Sequence, residues 1–193
     1  VSGSVDSTLG SATLSSGAAV EVAATLTATL STQMPMRIHK GTVPSKPIGS
    51  KIMRTVNAAM PFLEKSEAPS IVVVASVSGR EIDFTSPAYG ATKAALIHYA
   101  QGLAYKLAGK MIRVNSVSPG NTYFDGGIWQ WIEQNNAELF SQALALNPTG
   151  RMATPEEVAR GVVFLASPAS RFTTGTNLVI DGALTKGDRK SVV

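Results

Sequence analysis

Five consecutive apolar positions, Ile71-Val72-Val73-Val74-Ala75, interrupt the mixed texture of this chain. A run without alternation predicts a strand covered on both faces, as in a parallel sheet. Ahead of it, Val20 to Leu30 alternates apolar and small residues, a pattern that suits either a strand or a partly disordered stretch. Pro35, Pro44 and Pro47 then break any long element and mark connectors. Helices are predicted over Ser50 to Glu64 and from Ala88 to about Leu107, the second presenting small residues such as Ala91, Ala94 and Ala95. From Ser50 onward the order reads helix, strand, helix, strand, helices, strand. That order is the carboxyl half of a doubly wound α/β sheet.

The chemistry starts where the apolar run stops. Ser76 falls at the carboxyl end of the predicted strand, the edge where open α/β sheets place their ligands. Thirteen residues later, Tyr89 and Lys93 stand four apart at the start of the long helix, so they share one face. A free tyrosine ionises near pH 10, and bringing it to neutrality takes roughly 4 kcal/mol in favour of the phenolate. One positive charge at about 4 Å supplies roughly that much at an effective dielectric near 20. A lysine one turn away therefore nearly suffices to make a tyrosine an acid and base. Ser78 competes with Ser76 for the third position, and the spacing to Tyr89 favours Ser76.

These residues resemble the short-chain dehydrogenase/reductase family, over roughly Ser50 to Gly187. The run Ile71 to Gly79 is similar to its serine-bearing strand, and Tyr89 to Lys93 matches Tyr-x-x-x-Lys. Ile112-Arg113-Val114-Asn115-Ser116-Val117-Ser118-Pro119-Gly120 is similar to the next strand with its Pro-Gly cofactor turn. Gly150-Arg151-Met152, Pro155 to Ala159 and Phe164 to Ser167 resemble the late helix, and Thr174 to Asn177 with Ile180 to Ala183 the last strand. Tyr-x-x-x-Lys alone is common by chance, whereas five ordered matches are specific. The resemblance implies a Rossmann-like, three-layer α/β/α fold and an NAD(P)-dependent oxidoreductase interconverting a carbonyl and a secondary alcohol, a 3-oxoacyl reductase-like enzyme being the nearest type.

By that resemblance Tyr89 is the general acid and base, Lys93 holds the nicotinamide ribose, and Ser76 hydrogen-bonds the substrate oxygen. Pro119 and Gly120 lie against the nicotinamide, and Thr122 is a weaker cofactor candidate because the family's threonine falls where Phe124 stands. The cofactor is NAD or NADP, and the helix from Ala88 is the one that pairs family members into homodimers or homotetramers. Trp129 and Phe124, in the region of the family's substrate loop, either touch substrate or fill core or a subunit contact. His39 and His98 have no metal or triad pattern and read as structural or surface residues.

The amino-terminal part, residues 1–49, departs from the pattern. Ser2-Gly3-Ser4 and Gly10 resemble fragments of a phosphate loop, yet Ser7 and Leu9 stand where its other glycines belong. Without them the backbone does not approach a pyrophosphate closely. Gly17-Ala18-Ala19-Val20 resembles the entry to a second strand but arrives early. By length at least one βα unit is missing. The family's helix asparagine is absent too, since its place falls near Ile48 and Asn57 lies too far along.

Composition refines this modestly. With 193 residues and 44% hydrophobic content, the chain suits one domain, residues 1–193. No cysteine and no long apolar run or signal pattern fit a cytoplasmic protein that makes no membrane contact. The net charge of +4 is spread among scattered basic residues with few aromatics, which argues against nucleic acid and for a small-molecule partner. Ser191 to Val193 read as a solvated tail. The alternative to an enzyme is a non-catalytic relative that keeps the scaffold and oligomer surface without holding cofactor.

Overall fold

The computed structural model describes residues 25–28, 50–82 and 87–186. The stretches 2–10 and 17–20, His39, the three connector prolines and the tail beyond Lys186 lie outside the described residues. Among the described residues four parallel strands form one sheet in the order β1-β2-β3-β4: β1 (Thr25–Ala28), β2 (Ser70–Val74), β3 (Arg113–Pro119) and β4 (Asn177–Ile180). Between them run α1 (Ser50–Leu63), α2 (Pro87–Leu107), α3 (Ile128–Asn135), α4 (Ala137–Ala145) and α5 (Pro155–Ala166). Within the alternating stretch from Val20 to Leu30, Thr25–Ala28 form a described strand.

The uninterrupted apolar run of β2 follows from its two covered faces. Ile71 and Val73 turn toward α1 and α2, packing with Ile52, Val56, Leu96 and Ala100, while Val72 turns the other way onto Leu165 of α5. Each such side chain contributes about 1.5–3 kcal/mol by leaving water. Three layers result, as expected of an α/β/α arrangement. The strand begins one residue before the apolar run, at Ser70, which pairs with Arg113 of β3 and whose buried hydroxyl donates to the Leu165 carbonyl at 3.2 Å.

The α5 layer is tied at both helix ends. At its start, Thr154 and Glu157 form a reciprocal capping box, and Arg151 grips the Glu157 carboxylate with two hydrogen bonds of 2.7 and 2.8 Å. At its end, the guanidinium of buried Arg113, the first residue of β3, donates to the carbonyls of Leu165 (2.6 Å), Ala166 (3.0 Å), Ser167 and Ser170. Carbonyls left over by the last helical turn need donors, and a cation there also complements the helix dipole. Asn115 joins β3 to the approach of β4 by donating to the Thr173 carbonyl and accepting from the Thr176 amide.

Helices α3 and α4 form a small lobe with its own cluster of Trp129, Ala143 and Met152, edged by Tyr123 and Phe140. Among the described residues no helix is long and apolar enough to cross a membrane.

Candidate active site

The carboxyl edge of β2 turns sharply. Ala75 still pairs with β3, its amide donating to the Val117 carbonyl at 2.7 Å, and Ser76 then caps a short 3₁₀ turn over Val77–Gly79. The Ser76 oxygen accepts from the Ser78 amide at 3.2 Å, and the two hydroxyls are themselves hydrogen-bonded at 3.2 Å. Ser76 is 9% exposed. Its position beyond Val74 is therefore fixed by backbone, as the strand-edge reading expects.

Helix α2 comes against this turn at backbone distance. A β-carbon on Gly79 would lie 2.6 Å from the Lys93 carbonyl carbon, and one on Gly90 would lie 2.8 Å from the Ser78 carbonyl oxygen. Neither contact admits a side chain. Two glycines, one in the turn and one beside Tyr89, thus set how close the first turns of α2 approach Ser76. The sequence carried this signal only as an ordinary-looking glycine on each side of the apolar-to-helix transition.

That approach sets the Tyr89–Lys93 pair beside the end of β2. The Lys93 ammonium lies 5.5 Å from the centre of the Tyr89 ring, within cation–π range. It also donates to the carbonyl of Val74, two residues before Ser76, at a long 3.4 Å. Lys93 is only 6% exposed, and burial pushes its amine below the ordinary lysine range. Among the described residues this ammonium has one hydrogen bond for three protons. A buried amine with donor capacity to spare fits a ligand rich in hydroxyls, such as the ribose of a nicotinamide cofactor.

Pro119 closes β3, next to β2, so it lies at the same sheet edge. Gly120 continues into a turn held by its amide on the Ile180 carbonyl at 3.0 Å, and a β-carbon there would come within 2.7 Å of Asp181. Asp181 in turn accepts from the Ala183 and Thr185 amides. Thr122 is drawn into a bridge with Ala153, its hydroxyl donating to the Gly120 carbonyl at 3.2 Å.

Trp129 and Phe124 part company. Trp129 is 7% exposed in the core of the α3–α4 lobe, whereas Phe124 is 48% exposed, its ring lying where a Gly127 side chain would otherwise project. The residue before Phe124 is latched to α3: the Tyr123 hydroxyl donates to Glu133 at 2.6 Å, which holds that phenol above the ordinary tyrosine range. His98 and the small residues Ala91, Ala94 and Ala95 lie on the exposed side of α2. Two surface hollows, of about 240 and 440 Å³, flank the far half of α2 and touch none of Ser76, Tyr89 and Lys93. Among the described residues no group of three or more His, Cys, Asp or Glu is placed to hold a metal ion.

Known proteins share this frame. A family model described as enoyl-(acyl carrier protein) reductase matches residues 50–185. The isoepoxydon dehydrogenase patN of Penicillium expansum is 43% identical over 133 residues, covering 68% of this chain and 51% of that protein. The 3-oxoacyl-[acyl-carrier-protein] reductase FabG of Chlamydia pneumoniae is 34% identical over 131 residues, again covering 68% of this chain and 51% of its own. Among solved structures, an oxidoreductase of the short chain dehydrogenase/reductase family from Burkholderia thailandensis superposes with a TM-score of 0.60 at 35% identity, covering 72% of this chain and 51% of that one. An NADPH-bound short chain oxidoreductase with an atypical catalytic centre from Pseudomonas aeruginosa PAO1 gives 0.61 at 29% identity, covering 70% and 53%. The chain spans about half the length of these relatives.

Proposed function

The chain belongs to the short-chain dehydrogenase/reductase family, and on that premise we propose that it serves NAD(P)-dependent interconversion of a carbonyl and a secondary alcohol. The observation that carries this reading is the buried Lys93 ammonium against the Tyr89 ring, one backbone contact away from the Ser76 turn. When bound, the nicotinamide supplies or accepts the hydride. Everything else is proton handling and positioning by this chain.

In the reducing direction Tyr89 gives its phenolic proton to the carbonyl oxygen, and in the oxidising direction it takes the alcohol proton. Lys93 stabilises the negative charge that develops on the tyrosine oxygen and would hold the cofactor ribose hydroxyls with its remaining protons. Ser76 donates to the substrate oxygen and so stabilises charge as it appears there. Pro119 and Gly120, with Thr122 beside them, would hold the nicotinamide at this sheet edge. The backbone closeness that Gly79 and Gly90 permit keeps these groups in one frame. The same reading takes the protein as cytoplasmic, and as a homodimer or homotetramer built on the exposed small-residue face of α2. The names of relatives such as an isoepoxydon dehydrogenase and a 3-oxoacyl-[acyl-carrier-protein] reductase support a ketone or secondary alcohol as the substrate class.

Titration of the purified protein with NADH and NADPH, followed by nicotinamide fluorescence, tests the first requirement. Binding in the micromolar to millimolar range is expected, and its absence at millimolar cofactor would sink the enzymatic reading in favour of a non-catalytic relative. Tyr89→Phe is expected to lower turnover by at least about 100-fold while sparing cofactor affinity. Substantial residual turnover would contradict the acid–base role.

A further inference from the structure

The turn that follows β4 is built around one carboxylate. Asp181 Oδ1 accepts from the Ala183 amide at 3.0 Å, while Oδ2 accepts from the Thr185 amide at 2.9 Å and the Thr185 hydroxyl at 2.6 Å. The backbone between them runs through two successive left-handed residues, Gly182 at φ 59° and Ala183 at φ 66°. That conformation is uncommon for alanine and persists only where neighbouring bonds over-determine it. Charge-assisted bonds to Asp181 supply the constraint. The backbone side of the same aspartate faces the turn that closes β3: a β-carbon on Gly120 would lie 2.7 Å from Asp181 Cβ, 2.9 Å from its Cα and 3.3 Å from a Leu184 methyl carbon. Leu184 is drawn into that wall by its own amide, which donates to the Asp181 carbonyl at 3.1 Å. The Gly120 amide is bonded to Ile180, the residue before Asp181. On another flank a Gly182 β-carbon would meet Thr149 Cγ2 at 3.2 Å, so the connector between α4 and α5 backs the turn from outside.

We propose that Asp181 is a positioning residue for the nicotinamide end of the cofactor: by folding residues 181–185 into a rigid wall, it fixes the backbone of Pro119 and Gly120 at the sheet edge. The proposal rests on the reading that gives Pro119 and Gly120 the nicotinamide. Both carboxylate oxygens are engaged by donors of the 181–185 turn, so Asp181 acts through the place it gives Gly120. Without that wall the 119–120 turn samples several backbone arrangements. A cofactor that fits one of them then binds more weakly in proportion to the fraction of molecules already in it. The effect is confined to ligands that reach this turn, and the proton chemistry of Tyr89 and Lys93 on the neighbouring helix keeps its own supports.

The test uses the full chain, first without cofactor. Hydrogen exchange at the Gly120 amide is expected to speed up about tenfold or more in Asp181→Ala. In calorimetric titrations the same variant should bind NADH and NADPH about tenfold more weakly, with affinity for ADP-ribose, which lacks the nicotinamide ring, unchanged. Thr185→Val removes one of the three bonds and should weaken NADH and NADPH binding about threefold, while Thr185→Ser keeps the hydroxyl and should restore it. Arg113→Ala is the destabilised control, expected to lower the melting temperature without raising the NADH Kd. An equal weakening of NADH and ADP-ribose, or the same rise in Kd in Arg113→Ala, marks a merely structural role and overturns the proposal. Wild-type exchange and affinity in Asp181→Ala overturn it while leaving the nicotinamide reading intact. If Asp181→Ala does not fold, the Thr185 pair decides: equal NADH affinity in Thr185→Val and Thr185→Ser overturns the proposal. A wild-type protein that binds neither NADH nor NADPH overturns the reading of Pro119 and Gly120, and this proposal with it.

Discussion

Helices α2 and α5 pack on opposite faces of one sheet and are secured by opposite means. Helix α5 is finished at both ends: a capping box and a bidentate Arg151–Glu157 pair at its start, the Arg113 guanidinium across its last carbonyls. Helix α2 instead starts by pressing Gly90 onto the Ser78 carbonyl and burying an ammonium with one long hydrogen bond. The first arrangement gives the helix ends several charge-assisted partners; among the described residues the second leaves a buried cation with one long hydrogen bond. An underused buried charge is costly unless something else needs it. On the function proposed above, the contrast separates a helix that holds the fold from one that holds chemistry.

Lys93→Met breaks the comparison most sharply. With the hydrophobic stem kept and the charge removed, turnover should fall by about 100-fold or more while the melting temperature stays level or rises. A marked loss of thermal stability would mean that the lysine is structural. The burial-lowered lysine also gives a sign. Its folded amine releases its proton more easily than the unfolded one, so the cost of burying it is full at neutral pH and is relieved as pH rises toward about 10.5. The stability gap between Lys93→Met and wild type should narrow over that alkaline range, as followed by denaturant melts.

Arg113→Ala probes the other helix. Losing the shared donor of several helix-end carbonyls is expected to cost about 2–4 kcal/mol in a urea melt, with cofactor affinity of whatever remains folded unchanged. A stability near wild type would show that water replaces the guanidinium. Glu157→Gln should have the smallest effect. Arg151 and the Thr154 amide hold the Glu157 carboxylate down to about 2, so its stabilising contribution is present above the ordinary carboxylate range near 4.5 and lost as pH falls through about 2. The variant should therefore melt a little below wild type at neutral pH and converge with it by pH 2. A gap that stays constant with pH would assign the effect to shape instead.

Local spacing explains what was legible in the sequence. The covered strand was readable because five apolar residues in a row have one economical use, and the Tyr89–Lys93 pairing because helix geometry puts residues four apart on one face. The order of elements from Ser50 followed from the same local signals. Arg113 was not legible in its role, since its partners lie more than fifty residues further along and only the fold joins them. Gly79 and Gly90 were silent for the same reason: a missing side chain has meaning only once another backbone is known to lie beside it. Trp129 was left open between substrate and core, and the α3–α4 cluster that buries it depends on Met152 and Ala143, again distant in sequence.

The Arg113 clamp has a dynamic corollary. By joining the first residue of β3 to the end of α5, and with Asn115 stitching β3 to the approach of β4, it makes the far side of the sheet open and close as one cooperative unit. The α3–α4 lobe, whose described apolar contacts form a small cluster apart from the sheet, is expected to open beneath that threshold. Amide protons of α5 and β3 should therefore exchange with solvent together and slowly, while those of the lobe exchange through openings that leave the sheet intact.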